Sequence, residues 1–199
     1  MKAGIFAVQG DYEAHAAALE RLGVAHRFVR VAEDLAGCDG LVLPGGESTT
    51  QLQFLQEEGL FEAIRDFAVG HPVFGTCAGA ILVAREVQHP RQASLALLDI
   101  TVLRNGYGRQ ISSEVTRGVS KLKAGPLEMV FIRAPVIERV GPGVEVLAEC
   151  AGKPVLVRQG NVLAATFHPE LAADTTVHRY FLNMAANGDQ GAAGAAEMS

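Results

Sequence analysis

The chain has 199 residues, 49% of them hydrophobic, and a formal net charge of −5. That length and apolar content suffice for one α/β domain with a substantial core, and the acidic balance offers no basic surface for nucleic acid. With no apolar run of about 18 residues and no positively charged leader with a cleavage site, neither a membrane span nor secretion is expected. Three cysteines, an odd number, suit reduced thiols in a cytoplasmic protein better than a disulfide framework.

Residues 2–8 read as a first strand, and residues 11–22 as an amphipathic helix stopped by Gly23. Strands follow at 25–31 and 41–43. The run Gly40-Leu41-Val42-Leu43 suits a buried parallel strand and leads into Pro44-Gly45-Gly46-Glu47-Ser48-Thr49-Thr50. The paired glycines let the backbone expose N–H groups, and Ser48 or Thr49 is placed to cap the next helix. The Gly-Lys-Ser/Thr ending of a phosphate-binding loop is missing. Residues 49–69 read as helix, broken near Gly59.

Pro72-Val73-Phe74 then leads into Gly75-Thr76-Cys77-Ala78-Gly79 and the helical run 80–84. This is the pattern of a nucleophile elbow with cysteine as the nucleophile: a strand turns sharply into a helix, and glycines remove side chains that would clash. The turn presents the Cys77 sulfur to the positive end of a helix, which favours thiolate. Cys38 and Cys150 have no motif around them and are assigned to structure. Residues 99–162 change to short β-rich runs with turns at Asn105-Gly106, Gly141-Pro142-Gly143 and Ala151-Gly152-Lys153, expected to add antiparallel strands to the same domain.

Residues 164–170 read Ala-Ala-Thr-Phe-His-Pro-Glu. Proline biases the preceding residue towards extended geometry, where side chains at i and i+2 point the same way. His168 and Glu170 then reach one site together, the histidine as base and the glutamate as orienter of its ring. An acyl-transfer site needs two N–H donors for the developing oxyanion; Gly46 and Ala78 are the candidates. The order Cys, His, Glu differs from that of α/β-hydrolases. Strand–helix alternation argues for a mostly parallel sheet covered on both faces, with its site outside the carboxyl ends of the strands. Residues 1–186 are expected to form this domain, and the Gly/Ala-rich stretch 187–199 a disordered tail.

These motifs resemble the triad-type (class I) glutamine amidotransferases. Leu43 to Thr50, Arg104-Asn105-Gly106-Tyr107-Gly108-Arg109-Gln110, Phe131-Ile132-Arg133-Ala134-Pro135 and Val8-Gln9-Gly10-Asp11 narrow the likeness to the glutaminase subunits of ribose 5-phosphate-dependent pyridoxal 5′-phosphate synthases, colinear from about residue 2 to 185. Ser113 departs from that pattern, where an aromatic residue is expected. The resemblance implies a flavodoxin-like three-layer fold and hydrolysis of L-glutamine to glutamate and ammonia, without metal or redox cofactor. It implies glutamine contacts from Gly46, Glu47, Ser48, Arg104, Ile132 and Arg133, with an arginine fork suiting the α-carboxylate and Glu47 the α-ammonium. It also implies a hetero-oligomer in which ammonia passes to a (β/α)₈ synthase subunit that seals the site. Two alternatives stay open: the glutaminase of another amidotransferase, and a non-enzymatic flavodoxin-like redox or chaperone module.

Overall fold

The computed structural model describes residues 1–104 and 114–193, with side chains to residue 186. Its core is a nine-stranded sheet in the order β2-β1-β3-β4-β12-β11-β10-β7-β8. Strands β1 (Lys2–Phe6), β2 (Ala25–Val29), β3 (Gly40–Leu43), β4 (Val73–Thr76) and β12 (Val162–Ala165) run parallel. The other side is antiparallel: β11 (Lys153–Gln159), β10 (Glu145–Cys150), β7 (Glu114–Ser120) and β8 (Leu127–Phe131). A separate three-stranded sheet joins β5 (Ala84–Gln88), β6 (Leu98–Leu103) and β9 (Val136–Val140). The parallel half and the antiparallel additions match the expected α/β class.

Successive residues of the parallel strands serve opposite faces, as strand geometry requires. Phe6, Leu41, Leu43 and Val73 pack with α2 (Ser48–Glu57), α3 (Leu60–Gly70) and α4 (Ala78–Val83). Ile5, Val42, Phe74 and Leu163 pack with α1 (Tyr12–Arg21) and α5 (Thr176–Ala193). Because both faces are covered, the strands β3, β4 and β12 are buried throughout and read as apolar runs, with Thr76 at the end of β4 their one polar residue. At 25 cal/mol per Å², each large side chain buried in these clusters stabilises the domain by about 1.5–3 kcal/mol relative to its exposed state.

The break between α2 and α3 falls at Gly59, whose φ of 66° is the left-handed value that glycine takes at low cost. Two local expectations are corrected. The cap of α2 is Glu47, not Ser48 or Thr49: its carboxylate accepts from Thr50 N–H at 2.8 Å. The nucleophile helix spans Ala78–Val83, and Ala84 opens β5, where pairing with Leu98 of β6 takes over. Helix α5 is described to Ala193. Residues 194–199 lie outside the described residues, as do the Asn105-Gly106 turn, the rest of the 105–110 motif and Ser113.

Strand order places the site. The chain passes from β1 to β2 on one side and then over to β3 on the other, so the crevice of the parallel sheet opens at the carboxyl ends of β1 and β3. The loops Gln9–Asp11 and Pro44–Ser48 border it, and the Cys77 elbow leaves the next strand.

Candidate active site

Cys77 sits between β4 and α4 with φ 47° and ψ −101°. A non-glycine residue held there costs on the order of 1–3 kcal/mol, strain that the surrounding structure must over-determine. The clamp is visible. Cys77 N–H donates to Ala165 C=O at 2.8 Å, tying the elbow to β12. Gly79 lies against the Leu43 carbonyl and Gly75 against the Gly79 carbonyl so closely that a Cβ at either would collide with backbone. Ala78, first residue of α4, carries one of the N–H groups that a helix start leaves without an intrahelical partner.

His168 and Glu170 do meet, though not by strand alternation. β12 ends at Ala165, and Pro169–Leu171 form a 3₁₀ turn that folds the glutamate back under the imidazole. Proline at the first position of the turn fixes the φ this needs. Glu170 Oε1 accepts from His168 Nδ1 at 2.7 Å, and both side chains are buried. This leaves Nε2, buried and without a hydrogen bond of ordinary geometry, as the nitrogen available to Cys77. Burial disfavours charge on His168, but the Cys77 thiol and the Glu170 carboxylate outweigh it and raise the ring to about 10. A ring raised in this way is suited to take the proton of the sulfur, which then acts as nucleophile. Glu170 is itself pushed upward by burial, against the bond from His168.

A cleft of about 420 Å³ opens over this pair. The residues expected to bind substrate, Gly46, Glu47, Ser48, Arg104, Ile132 and Arg133, all line it, together with Cys77, Ala78 and His168. Glu170 stands behind His168 rather than in the cleft. Arg133 is exposed and holds a φ of 45°, a second strained non-glycine residue at the rim. The Cys77 sulfur lies 3.9 Å from the Ile132 carbonyl. Glu47 and Arg104 are bonded to each other at 3.1 Å rather than held apart for a ligand. Burial works against it, yet hydrogen bonds from Thr49 and Thr50 hold the Glu47 carboxyl down at about 2.

The glycine loop is tied to the loop after β1. Asp11 N–H donates to Gly45 C=O at 3.1 Å, and Glu47 N–H to Gln9 Oε1 at 2.8 Å. A trans peptide sets N–H and C=O on opposite sides, so Gly46 N–H points away from Asp11. Gln51 locks the loop from beneath, donating to Gln9 C=O at 2.9 Å and Pro44 C=O at 3.2 Å.

Sequence reasoning missed several supporting residues. Asp11 is the N-cap of α1 but makes no cap bond; its Oδ2 lies 3.4 Å from His168 Nδ1. One turn on, His15 is fully buried, with Nδ1 3.0 Å from His178 Nε2 and Nε2 3.0 Å from Thr76 Oγ1. The available signal was a histidine on the apolar face of each of two helices. Cys38 and Cys150 lie outside the cleft, and burial raises both thiols above their ordinary range. Among the described residues no helix is long and apolar enough to cross a membrane.

The sequence matches the SNO glutamine amidotransferase family over residues 5–187. It is similar to the protein named pyridoxal 5′-phosphate synthase subunit PdxT in Koribacter versatilis, at 56% identity over 96% of this chain and 99% of that one. The same name is carried by a Deinococcus radiodurans relative, 50% identical over 93% of this chain and 97% of its own. Among solved structures, one described as a glutamine amidotransferase superposes with a TM-score of 0.88 at 46% identity, covering 92% of this chain and 98% of that one. A chain of PurLQS from Thermotoga maritima, at 18% identity and a TM-score of 0.70 over 92% of this chain and 97% of its own, shares the fold alone.

Proposed function

The chain belongs to the SNO glutamine amidotransferase family, a glutaminase serving pyridoxal 5′-phosphate biosynthesis, and from that premise we propose how its residues divide the work. The carrying observation is the buried 2.7 Å His168–Glu170 bond and a cysteine on a strained elbow, with Cys77 and His168 lining one cleft. Cys77 attacks the side-chain carboxamide carbon of L-glutamine, and the tetrahedral oxyanion is received by Ala78 N–H and Gly46 N–H. His168 donates its proton to the departing ammonia, leaving a thioester. Water, deprotonated by the same imidazole, cleaves the thioester to L-glutamate and returns the thiol. Glu170 holds the ring in place and stabilises its charge.

Gly46, Glu47, Ser48, Arg104, Ile132 and Arg133 bind the amino-acid end of glutamine. The Glu47–Arg104 pair supports this reading because it presents both signs of charge at one rim of the cleft, one for each charge of the α-carbon. The relatives' name, which makes each of them part of a synthase, supports a synthase partner. That partner is a (β/α)₈ protein in a hetero-oligomer, and it receives the ammonia before solvent can protonate it. Membership in the family argues against the two alternatives that the sequence left open. Ammonia release from glutamine, measured for this chain alone and with the synthase partner present, tests the assignment. No release in either case overturns it.

A further inference from the structure

Glu170 spends one carboxylate oxygen on His168. The other, Oε2, is buried and has no hydrogen bond of ordinary geometry. A carboxylate oxygen in that situation is costly unless a donor stands near it. The nearby donor is His15 Nε2 at 3.4 Å, and both side chains are wholly inaccessible.

The surroundings of His15 settle its tautomer. Glu170, bonded to a protonated His168, is an acceptor, so the His15 nitrogen facing it carries hydrogen. That nitrogen stands 3.4 Å from Glu170 Oε2 and 3.0 Å from Thr76 Oγ1, within reach of both acceptors. His15 Nδ1 is then bare and accepts from His178 Nε2–H at 3.0 Å, which leaves His178 Nδ1 as the bare end of the chain, consistent with its lack of any partner. Phe74 of β4 packs edge-on against both rings and fixes their planes. Burial, with His178 and His168 nearby, keeps His15 well below its usual range, so it donates as a neutral ring and does not cancel the charge of Glu170.

We propose that His15 is a positioning residue for glutamine hydrolysis: its Nε2–H anchors the outer oxygen of Glu170, and His178 selects the tautomer that can do so. The inference rests on the triad reading above. Helix α1 thus braces the dyad at both ends, with Asp11 3.4 Å from His168 Nδ1 and His15, four residues on, at Glu170. A glutamate anchored through both oxygens keeps its inner oxygen in line with His168 while the ring alternately gains and loses its proton.

The test separates the two hydrogen-bonding ends of His15. His15→Asn places its amide where Nδ1 was, so it still meets His178 but reaches neither Glu170 nor Thr76. His15→Gln reaches the position of Nε2 and restores that donor. With the synthase partner present, His15→Asn is expected to lose about tenfold in kcat with little change in KM, and His15→Gln to recover most of it. The upper limb of the pH profile for alkylation of Cys77, located by mass mapping, moves down by about one unit in His15→Asn and returns in His15→Gln. The charged or titratable groups facing this dyad are Asp11 and His15 from α1, Cys77 from the elbow and His178 from α5, with Arg21 bearing on His178. A folded His15→Asn with wild-type kcat and profile overturns the proposal, and so does equal impairment of both variants. Should neither variant fold, nitrogen NMR of the wild-type chain decides: the Nε2–H tautomer of His15 supports the assignment and the Nδ1–H tautomer overturns it. Wild-type turnover and its loss in Cys77→Ala report separately on the triad itself.

Discussion

Glu47 Oε1 and Arg104 Nη2 lie 3.1 Å apart in the lining of the cleft, so the two charges best suited to an amino acid neutralise each other. Glu47 also accepts from Thr49 and Thr50 and cannot swing away without uncapping α2. Among the described residues, Arg104 is held at its far end by Thr49 Oγ1 and Glu47. In the proposed reading, glutamine recruits Arg104 by exchanging partners on its guanidinium.

Arg104→Met removes that fork. We expect KM for glutamine to rise about tenfold or more, as loss of a charged hydrogen bond of about 1.5–3 kcal/mol implies, with a smaller effect on kcat. Steady-state kinetics with the partner present read this. An unchanged KM excludes Arg104 from the substrate set.

Treatment with a glutamine-analogue electrophile is expected to modify Cys77 alone, because Cys38 and Cys150 lie outside the cleft with raised thiols. Peptide mass mapping identifies the adduct. Modification of either other cysteine in place of Cys77 refutes the nucleophile assignment.

His168→Asn should abolish turnover, a loss of about 10²–10⁴-fold or more for a general acid–base group. Glu170→Gln should keep a reduced rate, since it loses orientation and charge stabilisation rather than proton transfer. Wild-type turnover in His168→Asn contradicts the base assignment.

His178 is expected to destabilise the domain in acid. Burial, helped by Arg21, lowers its ring to about 4, whereas in the unfolded chain it takes up a proton near 6.5. Between those values the unfolded state binds more protons, so stability falls as pH is lowered from about 6.5, by up to about 3 kcal/mol, and this loss is complete below about 4. Denaturant midpoints across that window are expected to slope less in His178→Phe than in wild type. Parallel slopes contradict the burial argument.

The loop joining Gly45, Gly46 and Glu47 is held at both peptides by Gln9 and Asp11, which stand at the cleft's edge. A partner docking there can bias the loop between peptide orientations, which glycine permits at little steric cost. Ammonia release is accordingly expected to be slower for the isolated chain than for the mixture, and Gln9→Ala to change kcat more than KM. Full activity of the isolated chain removes this gating, though not the triad.

Much of this was legible in residue order. The elbow, the glycine loop and the His-Pro-Glu turn announce themselves because each needs particular residues at fixed spacing within a few positions. The central parallel strands β3, β4 and β12 were legible because burial on both faces leaves them almost wholly apolar. What stayed hidden depends on residues far apart in the chain. The three-stranded sheet pairs Ala84 with Leu98 and Ile100 with Val140, and no local pattern announces that. His15 and His178, 163 positions apart, looked like isolated polar residues on apolar helices. The Glu47 cap was missed because the serine and threonine beside it are commoner caps, and only the fold shows which residue stands outside the first turn.

In the register of β4 with β12, Thr76 is opposite Ala165, so nucleophile and base leave neighbouring strand ends although almost half the chain lies between them. As the chain is synthesised, the cysteine therefore emerges long before its base. β12 must insert beside β4 before Cys77 N–H finds the Ala165 carbonyl or His168 reaches the sulfur. A truncated or half-made chain carries the thiol without the imidazole, so reactivity arrives late, as a by-product of completing the sheet.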